Sequence, residues 1–315
     1  MVFSFWEEMT NYLNDLNTRL RDGLRRQSDA FRARHARFLL AKQNSDGGFS
    51  GREGESDLYY TGFALRGLAV LDKLTPDVCE RAAGSLRASL SSRASVVDLF
   101  SLLYSCLLAH LCGGPDVFAD SPADWPERVV TTLETFRTPD GGYNKSPGAA
   151  AASTYHTFLV GLCYELLARS LPHSDAVARF VLERRREDGG FVEVAQMRRS
   201  GTNPTAAGIG ILQLIKGRDL PAEQIAPTVE FLVRMAGDDG GLRANDRVPL
   251  SDLLSTFTGC WTLAQLGALD RIDVKQVAQF ARSIELGGGG FRGGLWDEAT
   301  DVEYTFYGLG TIALC

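Results

Sequence analysis

Two kinds of hydrophobic pattern follow one another along the chain. The first, as in "SDAVARFVLERRR" (174–186), places apolar residues three and four positions apart with charges between them, which predicts an amphipathic helix. The second, as in "VVDLFSLLYSCLLAHL" (96–111), is apolar on nearly every side, which predicts a buried helix. Since the two kinds alternate, the pattern predicts an all-α protein built from helix pairs.

A Gly-Gly pair separates the two helices of most pairs and recurs at a regular interval. The pairs begin at Gly47, Gly141, Gly189, Gly240 and Gly289, and the intervals are 94, 48, 51 and 49 residues. The first interval is a double period, because residues 94–111 keep the apolar helix of a unit that has lost its glycines. Six units of about 48 residues indicate a repeat protein. We expect each Gly-Gly pair to end the amphipathic helix as a left-handed C-cap.

Polar residues stand at the predicted starts of the buried helices, where a side-chain oxygen can accept from the unpaired N–H groups of the first turn. These are Asp57, Ser153, Asp252 and Asp301. Six amphipathic and six buried helices in alternation predict two concentric rings, an (α/α)6 toroid over residues 29–315. Residues 1–28 are predicted to form an amphipathic helical extension before it.

That extension carries apolar residues at helical spacing, namely Phe5, Met9, Leu13, Leu16, Leu20 and Leu24. Its apolar stripe could pack on the toroid. It could also bind a second copy of the chain or a helical partner, or touch a membrane surface through Phe3, Phe5 and Trp6.

Composition narrows the class of protein. A net charge of −6 leaves no basic surplus to replace phosphate counterions, so nucleic acid is not an expected partner. None of the six cysteines forms a CxxC pair, which favours free thiols in a reducing compartment. Glu7 and Glu8 stand where a signal peptide has basic residues. The most apolar segment is short for a membrane span and contains Asp98 and His110. We therefore expect a cytoplasmic protein without a transmembrane segment.

The repeat resembles a known family. A Gly-Gly-Phe, a short loop and then Asp-x-x-Tyr-Thr, as in "DLYYT" (57–61) and "DVEYT" (301–305), resemble the repeat of protein prenyltransferase β subunits and of squalene and terpenoid cyclases over about residues 30–315. The resemblance implies an isoprenoid chain held in an aromatic-lined central cavity.

The helix N-termini and nearby basic loops would favour an anionic headgroup at one end of such a toroid. A prenyl diphosphate fits both features. The residues expected to bind its headgroup are Arg198, Arg199, Arg243 and Arg247, and Tyr155 and Trp261 are expected to line the isoprenoid chain.

The metal site of the resembling transferases is incomplete in this chain. The resemblance implies Asp-x-Cys and Asp-x-x-His-Thr as zinc ligands, and here only Asp252 remains, because Leu254 stands in place of the cysteine and Tyr304 in place of the histidine. Zn2+ is therefore not expected. The Asp-x-Asp-Asp acid of the cyclases is also missing, since Asp238-Asp239 lies inside a Gly-Gly turn.

The remaining candidate catalytic residues are His156, Asp252, Asp301, Glu303 and Tyr304. The three acidic residues could hold Mg2+ against a diphosphate, or could serve as helix caps and first-turn charges. His156 could be a general base or a hydrogen-bond donor to diphosphate, or a structural residue. A prenyltransferase-like enzyme is the favoured hypothesis. The alternatives are a non-catalytic isoprenoid-binding or lipid-binding module and a terpenoid cyclase with a non-standard acid.

Overall fold

The computed structural model describes residues 12–90, 95–218 and 220–315, and within these ranges the chain is helical apart from turns and one short hairpin. Helix α1 (Tyr12–Arg25) precedes six helix pairs. The amphipathic members are α2 (Asp29–Leu40), α4 (Pro76–Ser89), α6 (Trp125–Glu134), α8 (Ser174–Glu183), α10 (Ala222–Arg234) and α12 (Val274–Ser283). The buried members are α3 (Leu58–Val70), α5 (Val96–Leu111), α7 (Thr154–Leu166), α9 (Thr202–Lys216), α11 (Leu253–Gln265) and α13 (Val302–Leu314).

The predicted alternation of amphipathic and buried helices is confirmed. Strands β1 (Phe291–Arg292) and β2 (Thr300–Asp301) pair antiparallel just before α13, and a single 3-10 turn follows α11 at Leu269–Arg271. All six cysteines are free thiols, and four of them are buried. Over the described ranges, no helix is both long and apolar enough to cross a bilayer.

The helices group into two compact units. The first unit contains Phe3–Trp125 together with Ala281–Cys315, and the second contains Pro126–Phe280. In the first unit α3 packs on α5 and on α13, whereas in the second α9 packs on α7 and on α11. Each unit therefore has its own layer of neighbouring buried helices.

The Gly-Gly pairs do not cap the amphipathic helices, so that expectation is wrong. Helix α2 ends at Leu40 with right-handed Ala41 as its C-cap, six residues before Gly47. The chain then closes a tight turn in which the Asn44 N–H donates to the Gly48 carbonyl at 2.8 Å. Gly47 has φ +88° inside that turn. Glycine is needed because the chain reverses there through a positive φ, which residues with a Cβ rarely adopt.

Each first glycine also lies against the backbone of another amphipathic helix. A Cβ on Gly189 would lie 2.1 Å from the Pro227 carbonyl oxygen in α10, and one on Gly289 would lie 2.7 Å from the Arg34 carbonyl oxygen in α2. The second contact joins the last repeat to the first within the first unit. The regular spacing of the turns is therefore a packing requirement as well as a conformational one.

The residue after each Gly-Gly pair anchors the turn to the buried helix that follows. Its side chain is fully or almost fully buried, and its N–H donates to a threonine Oγ1 in the first turns of that helix. The pairs are Phe49 and Thr61, Tyr143 and Thr157, Phe191 and Thr205, Leu242 and Thr256, and Phe291 and Thr305. The threonine of the Asp-x-x-Tyr-Thr motif thus has a structural role.

The predicted N-caps are confirmed. Asp57, Ser153, Asp252 and Asp301 each accept a hydrogen bond from a backbone N–H in the first turn of the following helix. Helix α5 belongs to the repeat that has no Gly-Gly pair, but its N-terminus has a capping box. The side chains of Ser95 and Asp98 each accept from the backbone N–H of the other residue.

The described part of the N-terminal extension packs on the first unit. Leu13, Leu16, Leu20 and Leu24 of α1 are buried, as an apolar stripe at this spacing predicts. A Cβ on Gly23 would lie 2.1 Å from the Ala313 carbonyl oxygen, which shows how closely α1 approaches α13. Phe3, Phe5, Trp6 and Met9 lie outside the described residues.

A buried histidine fastens the last Gly-Gly turn to α2. His35 is fully buried, and its Nδ1 accepts from the Gly290 N–H at 3.1 Å. The proton of the neutral ring therefore lies on Nε2, which donates to Glu285 Oε1 at 3.1 Å. Burial is the main reason that the pKa of His35 falls to about 4, and Glu285 opposes the fall. The ring also stacks on Phe291 at 4.9 Å between centroids.

This histidine predicts a loss of stability in weak acid. Its pKa is about 4 in the folded chain against 6.5 in the unfolded chain, so the unfolded chain binds more protons below pH 6.5. Its contribution is complete above pH 6.5 and falls by roughly 3 kcal/mol as the pH drops to 4. Urea unfolding at pH 7, 5.5 and 4 measures this change in the free energy of unfolding. His35→Leu should lower stability at pH 7 and flatten this pH dependence, whereas His173→Asn, at an exposed left-handed position that asparagine tolerates, should do neither. An unchanged slope in His35→Leu would refute the assignment.

Candidate functional site

The buried helices of the first unit bring a carboxyl group, two phenols, a guanidinium and several rings together. Positions 59, 63 and 66 lie on one face of α3, and positions 303, 306 and 307 lie on the face of α13 that meets it. We call this group the Glu303 cluster. Its members are Tyr59, Phe63, Arg66, Glu303, Phe306 and Tyr307.

Two tyrosines hold one oxygen of the Glu303 carboxyl. The Tyr59 hydroxyl donates to Oε1 at 2.7 Å, and the Tyr307 hydroxyl donates to the same oxygen at 3.1 Å. With Oε1 occupied as an acceptor from both phenols, a proton on the neutral acid belongs on Oε2. One bond comes from α3 and the other from the next turn of Glu303's own helix α13, and together they fix the orientation of the carboxyl group.

Arg66 lies among aromatic rings. Its Cζ is 3.9 Å from the centroid of Phe63, 5.0 Å from that of Phe306, and 5.7 Å from those of Phe100 and Tyr104 in α5. Its Nε donates to the Gly62 carbonyl at 3.0 Å. The faces of these rings stabilise a positive charge through their quadrupoles. The guanidinium is therefore held against buried rings of α3, α5 and α13.

Burial raises the pKa of Glu303, the nearby charge of Asp301 adds to the effect, and Tyr59, Tyr307 and Arg66 oppose it. The group is thus held protonated to a higher pH than a solvated glutamate. Once it loses its proton, two phenol donors and a guanidinium are already in place around the carboxylate. An acid of this kind can give up a proton in a largely apolar setting.

The other two acidic candidates are helix caps. Asp301 is buried, accepts from the Tyr304 N–H at 2.8 Å, and lies 3.4 Å from the Nε of Arg52. Burial raises its pKa, and the Tyr304 N–H and Arg52 oppose the rise. Asp252, in the second unit, accepts from both the N–H and the hydroxyl of Ser255 at 2.7 Å. Burial raises its pKa as well.

Tyr304 lies in the first turn of α13, and its ring packs against the loop that precedes this helix. A Cβ on Gly293 would lie 2.7 Å from the Tyr304 ring, so the ring packs on bare backbone there. In the first repeat, the ring of Tyr60 packs on Gly51 in the same way. The ring of Tyr304 also meets that of Tyr307 at 6.2 Å, which places it at the edge of the Glu303 cluster.

The second unit contains the remaining candidates. His156, in the first turn of α7, has a buried Nδ1 that has no hydrogen-bond partner among the described residues. Burial lowers its pKa and the charge of Lys145 lowers it further, so the ring is neutral at pH 7. Tyr155 beside it is 40% exposed. Trp261 is almost fully buried within α11.

The four arginine candidates divide into two groups. Arg199 is paired with Asp246, and Arg243 donates to the Arg234 carbonyl at 2.9 Å. These two help to hold their loops. Arg198 and Arg247 are exposed on neighbouring loops.

Sequence reasoning named Glu303 but not Arg66, and it did not assign Tyr59 and Tyr307 as hydrogen-bond donors to the carboxyl group. The signal for Arg66 was present, because it is the one charged residue in the otherwise apolar helix "LYYTGFALRGLAV", where a charge needs a specific reason. The Tyr307 contact is local, because the two residues are four positions apart on α13. The Tyr59 contact depends on how α3 meets α13, and no local pattern shows that.

The residues present do not fit the zinc site that the resemblance implies. Both oxygens of Asp252 are bonded to Ser255, and Leu254 and Tyr304 supply neither thiolate nor imidazole. Across residues 12–90, 95–218 and 220–315, no group of three or more His, Cys, Asp or Glu side chains is placed to hold a metal ion.

Comparisons with solved structures find proteins of similar fold. Candida albicans protein geranylgeranyltransferase-I, complexed with GGPP, superposes with a TM-score of 0.73 at 15% identity, covering 90% of each chain. A type II terpene cyclase MstE variant from Scytonema, in complex with geranylgeranyl dihydroxybenzoate, gives 0.61 at 13% identity, covering 96% of this chain and 98% of that one.

An alpha-1,6-mannanase from Salegentibacter sp. HEL1_6 gives 0.55 at 11% identity over 96% of this chain and 98% of that one. The fold alone therefore does not determine the reaction. A sequence search of curated proteins finds no significant match.

The sequence profile of the prenyltransferase alpha-alpha toroid domain matches residues 3–91 and 100–315. These ranges contain all five Gly-Gly turns and, apart from the first turn of α5, the six helix pairs. The chain therefore belongs to the prenyltransferase alpha-alpha toroid family, as its repeat predicted.

Proposed function

We propose that this chain is an enzyme that binds an isoprenoid substrate on the aromatic surface of the Glu303 cluster and starts its reaction by protonating a double bond. The observation that carries the proposal is the Glu303 carboxyl, with both tyrosine hydroxyls on Oε1 and a guanidinium nearby. A protonated acid with a prearranged site for its conjugate base is suited to proton transfer. The family and its isoprenoid-binding neighbours agree with this substrate class.

In the proposed step the proton leaves Oε2 of Glu303 and bonds to one carbon of a terminal trisubstituted alkene. The π electrons form the new C–H bond, and the other carbon becomes a tertiary cation. Phe63, Phe306 and Tyr307 offer their faces to that cation. The cation then reacts with a further double bond of the same chain, and finally a C–H bond next to the cation gives its electron pair to a new double bond and its proton to water. Tyr59, Tyr307 and Arg66 stabilise the Glu303 carboxylate until it is reprotonated.

Prenyl diphosphate ionisation or transfer, the function favoured by the sequence, is the second candidate. It is supported by the neutral, partly buried His156 beside Lys145, and by Arg198, Arg199, Arg243 and Arg247 on the loops of the second unit. Cationic and hydrogen-bond donors of this kind stabilise a departing diphosphate.

Incubation in D2O distinguishes these functions. The substrates are geranylgeranyl diphosphate and a geranylgeranyl arene without diphosphate, each tested with and without Mg2+, and products are analysed by mass spectrometry. Protonation predicts a product that keeps its headgroup and gains one deuterium on carbon. Diphosphate release without deuterium would favour the second candidate and contradict the first. Tight binding without turnover would identify a non-catalytic isoprenoid-binding module.

The pH dependence gives a further prediction. Because the reaction needs protonated Glu303, activity should fall as the pH rises through the pKa of that group. Arg66 lowers this pKa, so Arg66→Met should move the falling limb to higher pH while reducing the plateau rate by about tenfold through loss of carboxylate stabilisation. Arg37→Met, at an exposed position of α2, should leave both unchanged. A limb that stays in place in Arg66→Met would contradict the role of Glu303 as the acid.

A further inference from the structure

Three neighbouring loops of the second unit form one continuous rim. Each leads from a Gly-Gly hairpin to a buried helix, and we call residues 144–153, 192–201 and 243–252 the basic rim. The Thr154 N–H donates to the Glu193 carbonyl at 3.0 Å, and the Thr202 N–H donates to the Ala244 carbonyl at 2.9 Å. These bonds join the first loop to the second and the second to the third.

The charge of the rim is opposite to that of the chain. Its five basic and three acidic residues give a surplus of two positive charges, in a protein whose net charge is −6. All three acidic residues are engaged internally. Glu193 bonds to Ser153 and Tyr155, Asp246 pairs with Arg199, and Asp252 caps α11. Lys145, Arg198 and Arg247 are exposed.

Large apolar side chains stand among these charges. Met197 is 50% exposed, Leu250 is 43% exposed and Tyr155 is 40% exposed. Met197 directly precedes Arg198, and Leu250 follows Arg247 on the next loop. In the corresponding loop of the first unit, Leu295 and Trp296 are likewise more than half exposed. Exposed apolar groups of this size at matching places in a repeat are a mark of an interaction surface.

We propose that the basic rim docks the protein on an anionic phospholipid surface. Methionine, leucine and tyrosine suit the boundary between headgroups and acyl chains, and the arginines and lysine suit lipid phosphates. Charge complementarity favours a lipid surface over a second copy of the chain. Although the net charge of the chain is negative, the same rim on a second copy is positive and does not complement this one. The inference is separate from the proposed reaction, because it concerns binding of lipid vesicles without any isoprenoid substrate.

The test is cosedimentation of the full chain with vesicles of phosphatidylcholine alone and with 30% phosphatidylglycerol added. We expect binding to the anionic vesicles only, weakened by 0.5 M salt. Each basic residue near such a surface is worth about fivefold in affinity, so the double charge reversal Arg198→Glu with Arg247→Glu should weaken binding by at least about 25-fold. Met197→Ser with Leu250→Ser should weaken it by about tenfold.

Matched controls lie elsewhere on the surface. Arg179→Glu with Lys216→Glu makes the same change of charge at exposed positions of α8 and α9, and Leu90→Ser with Leu111→Ser removes comparable exposed apolar groups. Both controls should bind within twofold of the parent protein, and thermal melts should show every variant folded. Failure to bind anionic vesicles would overturn the proposal, as would equal losses in rim and control variants. Self-association that only the rim variants abolish, measured by sedimentation velocity, would overturn it in favour of a dimer interface.

Discussion

Replacing Gly189 by alanine is expected to destabilise the protein by about 2–5 kcal/mol. Gly189 has φ +88°, a conformation that costs an L-residue about 1–2 kcal/mol. Its new Cβ would also lie 2.1 Å from the Pro227 carbonyl oxygen and 2.4 Å from the carbonyl carbon. Neither backbone can yield without moving α10 or the hairpin, and such overpacking costs about 1–3 kcal/mol more.

Gly267→Ala separates the two contributions. Gly267 has φ +67° and a Cβ there would meet no atom within 4 Å, so only the conformational cost of about 1–2 kcal/mol should remain. Urea unfolding at pH 7 measures both variants. Equal destabilisation by the two substitutions would mean that a Cβ at position 189 does not clash with α10. The packing explanation for the regular Gly-Gly spacing would then be removed.

Replacing Glu303 by glutamine is expected to reduce turnover by about 10²–10⁴-fold without lowering stability. The amide oxygen can still accept from Tyr59 and Tyr307, but the group has no acidic proton to give. Because the folded chain raises the pKa of Glu303, its ionised form opposes folding at high pH. Removing the charge should therefore keep or increase the melting temperature above that pKa.

Glu298→Gln is the matched control, since Glu298 is exposed on the loop before α13. It should leave turnover and melting temperature unchanged. Tyr59→Phe should retain part of the activity, because Tyr307 still donates to Oε1. If Glu303→Gln turned over at the parental rate, Glu303 would be a structural residue and the proposed acid would have to lie elsewhere.

Most of the fold was predictable because it is local and repeated. The apolar spacing within each helix, the caps at Asp57 and Asp301, and the period of the glycines are all short-range features. The role of the glycines was not predictable in the same way. A left-handed glycine after a helix usually means a C-cap, and only the packed structure shows that Gly47 lies seven residues beyond the end of α2, against another helix.

The candidate site was predictable only in part, for a physical reason. Glu303 could be named because a carboxyl group in the first turn of a buried helix is conspicuous. Its partners Tyr59 and Arg66 lie more than 230 residues away in the chain, and their contacts depend on the rotation of α3 against α13. The arginine candidates were recognised by their charge alone. The sequence does not show that Arg199 forms an ion pair with Asp246.

A crystal structure with an unreactive geranylgeranyl analogue tests the central claim most directly. The account predicts that the isoprenoid chain contacts Phe63, Phe306 and Tyr307, with its terminal double bond about 3–3.5 Å from Oε2 of Glu303. A chain bound away from these rings, or a double bond beyond reach of Glu303, would contradict it.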